Sequence, residues 1–244
     1  MRSGPDDDVP GYQVAGLLID PAEVQAREAG FSSLDMRGRV LIQDDFGEGI
    51  GAWLPVADSG ATAPYVLVSP SAADVGVYAF TAPNFVKADP GVTVDQISAM
   101  VRSLNLGQSN RIGIESAIFV KGVTPPKHTL EVKYNYNGTI YRAQLTFSPA
   151  TNQWTIDTPS GVVVVSTITV LNSWAQVKVV ADFSTGKYVR ATIGENEIDI
   201  SAHSMRVLTS VSQGTIFFTL LTQSRGAGTL PGYFGYALMT RDEP

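Results

Sequence analysis

The stretch Leu130-Glu131-Val132-Lys133-Tyr134-Asn135-Tyr136-Asn137-Gly138-Thr139-Ile140-Tyr141-Arg142-Ala143-Gln144-Leu145 decides the fold. An Asn-Gly pair is the preferred centre of a two-residue type I′ turn, because both central residues need positive φ. Placing the turn at Asn137-Gly138 sets the register of the strands on either side. Tyr136 then faces Thr139, Tyr134 faces Tyr141, Val132 faces Ala143 and Leu130 faces Leu145, so one face is apolar or aromatic apart from the Thr beside the turn. The other face pairs Glu131 with Gln144, Lys133 with Arg142 and Asn135 with Ile140. A slip of one residue would mix the two faces. The Lys133/Arg142 pair carries a small like-charge penalty unless an acid lies close by.

The same period of two continues in both directions. Downstream, Leu145–Phe147 and Gln153–Ile156 flank a turn at Ser148–Asn152, and Val162–Val165 follows the breaker Thr158-Pro159-Ser160-Gly161. Trp174–Phe183 alternates with Val177, Val179, Ala181 and Phe183 inward. Tyr188–Ile193, Glu197–Ile200, Thr215–Thr222 and Tyr233–Met239 complete the run. Upstream, Arg39–Phe46, Tyr65–Val68, Val75–Thr81 and Ile112–Val120 read as strands, and 94–104 reads as a strand with a short helix as the alternative. This many short strands with short turns and almost no helix predict an all-β, two-sheet antiparallel sandwich over residues 37–244.

Residues 1–36 read differently. Met1–Pro10 is acidic and Pro-flanked. An apolar patch, Val14 to Ile19, is followed by Asp20-Pro21-Ala22-Glu23, a helix start with a capping Asp, a Pro at the first helical position and a capping-box Glu. A short helix over about 21–29, stopped at Gly30, is expected. Too short to stand alone in water, it must dock, and Leu17, Leu18, Ile19 and Val24 are the expected assembly contacts on the domain or on another subunit.

Composition narrows the function. The chain has 244 residues, no cysteine and two histidines, His128 and His203. Disulfide scaffolds, thiol nucleophiles and three-histidine metal sites are therefore excluded. The net charge of −6 argues against a sequence-independent grip on nucleic acid. No segment reaches the roughly 18 apolar residues of a membrane-spanning helix. The first residues lack the apolar stretch of a secretory signal. No Gly-x-Ser-x-Gly, phosphate loop or dinucleotide fingerprint appears.

Two stretches carry a resemblance. Asp44-Asp45-Phe46, with Gly47, Gly49 and Trp53, resembles the opening of jelly-roll sugar-binding domains. Trp174 followed by Val177 through Tyr188 resembles the late hairpin of concanavalin A-like lectin and laminin-G-like sandwiches. The likeness spans about residues 38–240. It implies the lectin/glucanase jelly-roll superfamily and a carbohydrate-binding-module-like surface. Stand-alone sandwiches with an N-terminal arm also resemble structural proteins of tailed bacteriophage virions. That likeness implies a non-enzymatic virion or capsid-decoration protein, located in the virion and acting as a homo-oligomer, with a glycan or a neighbouring subunit as partner. The alternative is a free-standing carbohydrate-binding module or lectin.

Three groups of residues follow from this reading. Glu195, Glu197 and Asp199 alternate toward one face of a strand, as in the glucanase pattern Glu-x-Asp-x-x-Glu or Glu-x-Asp-x-Glu. Ser201 stands where the acid/base Glu belongs, so no complete hydrolytic pair is expected. Asp44, Asp45, Glu48 and Asp242 are hard oxygen donors that would suit a structural calcium if the first and last strands are neighbours; no other cofactor is expected. Trp53, Trp154, Tyr233 and Tyr236 are the expected sugar platforms, with Trp154, just after a turn, the best exposed.

Overall fold

A computed structural model describes residues 13–14, 17–18, 37–46, 50–68, 84–105, 109–120, 122, 124–168, 173–208 and 215–244. The strands are numbered along the chain. The sheet that contains the Asn137-Gly138 hairpin runs β12 (Gly161–Ser166), β11 (Gln153–Thr158), β10 (Thr139–Ser148), β9 (Lys127–Tyr136), β17 (Thr215–Gln223), β7 (Ile97–Asn105), β4 (Leu54–Ala57). Short β16 (Arg206–Leu208) pairs with the start of β10, while β11 pairs with its end. The second sheet runs β15 (Asn196–Asp199), β14 (Lys187–Ile193), β13 (Trp174–Asp182), β8 (Arg111–Phe119), β18 (Gly232–Arg241), β6 (Asn84–Asp89), β5 (Thr62–Val68), with β3 (Arg39–Asp44) beside β18. All pairings are antiparallel, and the two eight-stranded sheets form the jelly-roll sandwich expected from the sequence. A separate ribbon pairs β1 (Gln13–Val14) with β2 (Leu17–Leu18).

The central hairpin has the register that its turn dictates, from Thr139 opposite Tyr136 to Phe147 opposite His128. Asn137 and Gly138 sit at φ of 49° and 84°, the left-handed pair a type I′ turn requires. The inward residues of both sheets meet in one core: Leu130, Val132, Leu145, Phe147, Trp154 and Phe218 from the hairpin sheet face Ile112, Ile114, Val177, Val179, Ala181 and Phe234 from the second. Phe147 and Trp154, cross-strand partners, have ring centroids 4.9 Å apart. Edge strand β12 turns Val162 and Val164 outward to solvent.

Several strands differ from their sequence-based bounds. Strand β7 starts at Ile97 rather than 94, because Thr93 to Gln96 form a turn in which Asp95 adopts a φ of 66°. Strands β4, β6 and β16 were not expected; they are short, and β4 contains Pro55, which β-propensity disfavours except at a sheet edge. The expected strand at Val75–Thr81 and the expected helix at about 21–29 lie outside the described residues.

Candidate functional site

The polar face of the hairpin, with the strands beside it, builds a row of charges on the outer side of its sheet. Glu131 and Lys133 lie on β9, Arg142 on β10, Asp157 on β11 and Arg206 on β16. Lys133 Nζ is 2.8 Å from Glu131 Oε1, and Arg142 Nε is 4.0 Å from Glu131 Oε2. Arg142 also pairs with Asp157, whose other oxygen lies 3.1 Å from an Arg206 guanidinium nitrogen. The order Lys133–Glu131–Arg142–Asp157–Arg206 thus alternates in sign, and the acid needed to relieve the Lys133/Arg142 juxtaposition is Glu131.

The row is layered by depth. The Glu131 and Asp157 side chains are 10% and 9% exposed, whereas Lys133 and Arg206 are 38% and 41% exposed. Three cations over two carboxylates leave one positive charge, on a chain whose net charge is −6. The surface therefore offers N–H donors outward, with the carboxylates beneath fixing their positions. Such fixed donors suit oxygen-rich ligands.

Tyr188, from the second sheet, supports the row from below. The β10/β11 ladder ends at Leu145/Ile156, which leaves the Gln144 N–H and the Asp157 carbonyl beyond it. The Gln144 N–H donates to the Tyr188 hydroxyl (3.0 Å), which donates to the Asp157 carbonyl (2.8 Å). Burial pushes the Tyr188 phenol well above its ordinary pKa, so it is a hydrogen-bond donor at neutral pH. The gap where β11 leaves β10 is thus closed by one side chain, and β16 takes the vacated edge.

The residues expected from the sequence fall elsewhere. Trp154 is fully buried rather than exposed: it faces inward across from Phe147, and its Nε1 donates to the Ile168 carbonyl at 3.1 Å. Trp53 is also in the core, edge-on to Phe218 with its Nε1 donating to Asp44 at 2.8 Å. Tyr233 and Tyr236 lie on the outer side of the second sheet, 2% and 0% exposed, and the Tyr236 hydroxyl donates to Glu115 at 2.6 Å. None of these four rings presents a free face to a sugar. Following a turn does not make a residue exposed, because strand alternation sends the first residue in as readily as out.

Glu197 and Asp199 do share a face of β15, opposite Thr192 and Arg190. Glu195 is in the turn before the strand. Glu197 pairs with Arg37 and lies 3.6 Å from Arg190. The Ser201 backbone N–H, and then its hydroxyl, hold the Asp199 carboxyl below its usual range. Asp199 therefore carries no proton to donate near neutral pH. The row sits on an exposed sheet edge.

Strand β3, the first of the sandwich, and β18, the last, are neighbours as expected, yet the calcium set does not assemble. Asp44 is opposite Ala237, five residues before Asp242, so antiparallel pairing separates the two by about 17 Å at roughly 3.3 Å per residue. The Asp44 carboxylate accepts from Trp53 Nε1, from the Phe46 N–H and from Arg102. These are donors, which leave it a poor cation ligand. Asp45 is half-buried, Asp242 lies 3.6 Å from Arg241, and Glu48 is outside the described residues. Among the described residues no three His, Asp or Glu side chains are placed to hold a metal ion. Of the expected assembly residues, Leu17 and Leu18 form β2, while Ile19 and Val24 lie outside the described residues.

The second sheet holds a charged cluster the sequence reading missed. Glu243, with its side chain fully buried, takes Lys178 Nζ at 2.7 Å, and also Arg190 and the Thr240 hydroxyl. Arg190 donates further to the Pro244 carbonyl at 2.8 Å. Gly113 and Gly38 make room for it; a Cβ at either would lie 2.7 Å from Glu243 Oε1.

No protein-family model matches the sequence, and a search of the curated proteins gives no match. Solved structures with a similar arrangement of strands include a protein with galectin-like fold from Bacillus subtilis (10% identity, 84% of this chain, 97% of that one, TM-score 0.48). Another is the exoplasmic/lumenal domain of VIP36 in its Ca2+/Man3GlcNAc-bound form (7%, 83% and 88%, TM-score 0.48). A third is TmCBM61 in complex with beta-1,4-galactotriose (13%, 81% and 94%, TM-score 0.40). These likenesses concern the fold.

Proposed function

We propose that the chain is a non-enzymatic glycan-binding structural protein, a decoration subunit of a phage virion or comparable assembly. The glycan is read by the outer face of the hairpin sheet. The observation that carries this reading is the layered charge row, in which Lys133, Arg142 and Arg206 are aimed outward by Glu131 and Asp157. Sugar hydroxyls and sugar carboxylates are oxygen acceptors that such donors hold, and the surplus positive charge favours an acidic glycan over a neutral one. The non-enzymatic reading draws support from Glu197 and Asp199, committed to Arg37 and Ser201 on an open edge. The placement in a virion rests on the resemblance of the sequence to arm-bearing sandwiches of phage structural proteins.

The test is a glycan array probed with the unmodified chain and with Lys133→Ala/Arg206→Ala. Both side chains are more than a third exposed, so the variant keeps the fold. Binding of acidic glycans that is lost in the variant supports the reading. Binding unchanged in the variant, or no binding by either protein, overturns it. The solution mass then separates the two settings: an oligomer fits a virion subunit, a monomer a free-standing binding module.

A further inference from the structure

One aromatic ring of the hairpin sheet points away from the core. Alternation sends Ile216, Phe218 and Leu220 of β17 inward and leaves Phe217 half-buried on the outer side. Phe218 meets Trp53 edge-on at 5.4 Å, whereas among the described residues no ring packs on Phe217. The ladders put Phe217 in line with the cations of the charge row. Arg206 of β16 is opposite Arg142 of β10, Arg142 is opposite Lys133 of β9, Lys133 is opposite Phe217, and Phe217 is opposite Ser103 of β7. Residues directly opposite share a face, so these side chains form one line across the strands. Ser103 is exposed and the Lys133 side chain is 38% exposed, so the ring has an open neighbour on either side. Glu131 lies two residues along β9, opposite Gln144 and Thr219, and so off this line.

We infer that Phe217 is a stacking platform for a pyranose ring, and that the ligand is a carboxylated oligosaccharide laid across the strands from Phe217 to Arg206. The inference rests on the reading of this face as the glycan site and names the class of glycan. An aromatic face suits the apolar side of a sugar ring, and the polar groups beside it fix the orientation. Neighbouring strands lie about 4.8 Å apart, so Lys133 is one spacing from Phe217, and Arg206 is three spacings away, about 14 Å. A carboxylate on a ring carbon lies at the ring's edge. A ring stacked on Phe217 therefore holds its carboxylate over β9, beside the Lys133 ammonium. The line is longer than one pyranose ring, so a further acidic sugar meets Arg206. The planar guanidinium fork of Arg206 matches a planar carboxylate better than a tetrahedral sulfate on a rotating ester link. Arg142, between them, is committed to Asp157 and Glu131 and supplies charge rather than a free donor.

The test is calorimetric titration of the full-length chain with tetragalacturonic acid, galacturonic acid, neutral galactotetraose and a sulfated galactose tetrasaccharide. Tetragalacturonic acid should bind at least about tenfold more tightly than each of the others. Phe217→Leu keeps an apolar side chain and removes the ring; it should weaken that binding about tenfold, and Phe217→Trp should restore it. The Trp variant gives a readout that a merely structural role would not move. Tetragalacturonic acid should shift the emission of the new indole, and leave unchanged the emission of the unmodified chain, whose Trp53 and Trp154 are buried and whose Trp174 lies on the other sheet. Binding that survives Phe217→Leu unchanged but is lost in Lys133→Ala/Arg206→Ala overturns the platform and leaves the glycan reading standing. A neutral or sulfated probe that binds as tightly as tetragalacturonic acid overturns the carboxylate class. Absence of binding to all four probes overturns this proposal, while the glycan array decides the broader reading.

Discussion

His128 should make this protein lose stability as the medium turns mildly acidic. The imidazole lies on β9 opposite Thr222 and Phe147, edge-on to Phe234, and a Cβ at Gly232 would come within 2.6 Å of its ring. It is 1% exposed, and neither ring nitrogen has a hydrogen-bond partner among the described residues. Burial lowers its pKa from 6.5 to about 3. The folded pKa lies below the unfolded one, so the unfolded chain takes up the proton first. Stability is fully present above pH 6.5 and is lost as the pH falls toward 3. At pH 5 the unfolded ring is mostly protonated and the folded ring is not, a difference of about 2 kcal/mol. The assay is urea unfolding at pH 7 and pH 5, on the unmodified chain and on His128→Leu, which keeps an apolar side chain of similar bulk and cannot titrate. The unmodified chain should lose about 2 kcal/mol more than the variant between the two pH values. Equal losses in both would refute the argument, since every other titrating group is common to the two proteins.

Other outcomes follow from the packing. Glu243→Gln should cost about 3 kcal/mol in the same urea assay, because it leaves Lys178 and Arg190 buried beside a neutral amide. Trp154→Ala should cost about 3–5 kcal/mol as a core truncation, read as a lowered melting temperature. Gly138→Ala should cost only about 1 kcal/mol, from its positive φ in open space. Gly232→Ala should cost more than Gly138→Ala, because its Cβ meets Thr222 and the His128 ring; thermal melts of the pair compare backbone strain with packing.

The hairpin was legible because a local signal, Asn137-Gly138, set the partner of every residue along ten-residue strands. The strands β13 and β14 were legible for the same reason, with Gly186 at the turn. The site was not, because its members come from β9, β10, β11 and β16. Asp157 and Arg206 are brought together only by the departure of β11 from the edge of β10, and no period in the sequence reports which strand fills a vacated edge. Asp44 and Asp242 show a related limit: adjacency of the first and last strands was foreseeable, the offset along them was not. Glu243 reads as an exposed charge near the last residues. Its burial depends on Lys178 and Arg190, which lie 65 and 53 positions away and reach it from the outer side of the second sheet.

The outward valines of β12 have a consequence for handling the protein at high concentration. Gly161-Val162-Val163-Val164-Val165-Ser166 is an edge strand with no charge and no proline, and Val162 and Val164 are 69% and 47% exposed. The usual guards against edge-to-edge growth, a lysine or a bulge that twists the strand away, are missing from the half of β12 that carries these two valines. Crowded molecules are therefore expected to adhere along this strand, backbone to backbone. A lysine in place of Val164 would act as a gatekeeper, raising solubility while leaving the inter-sheet core untouched.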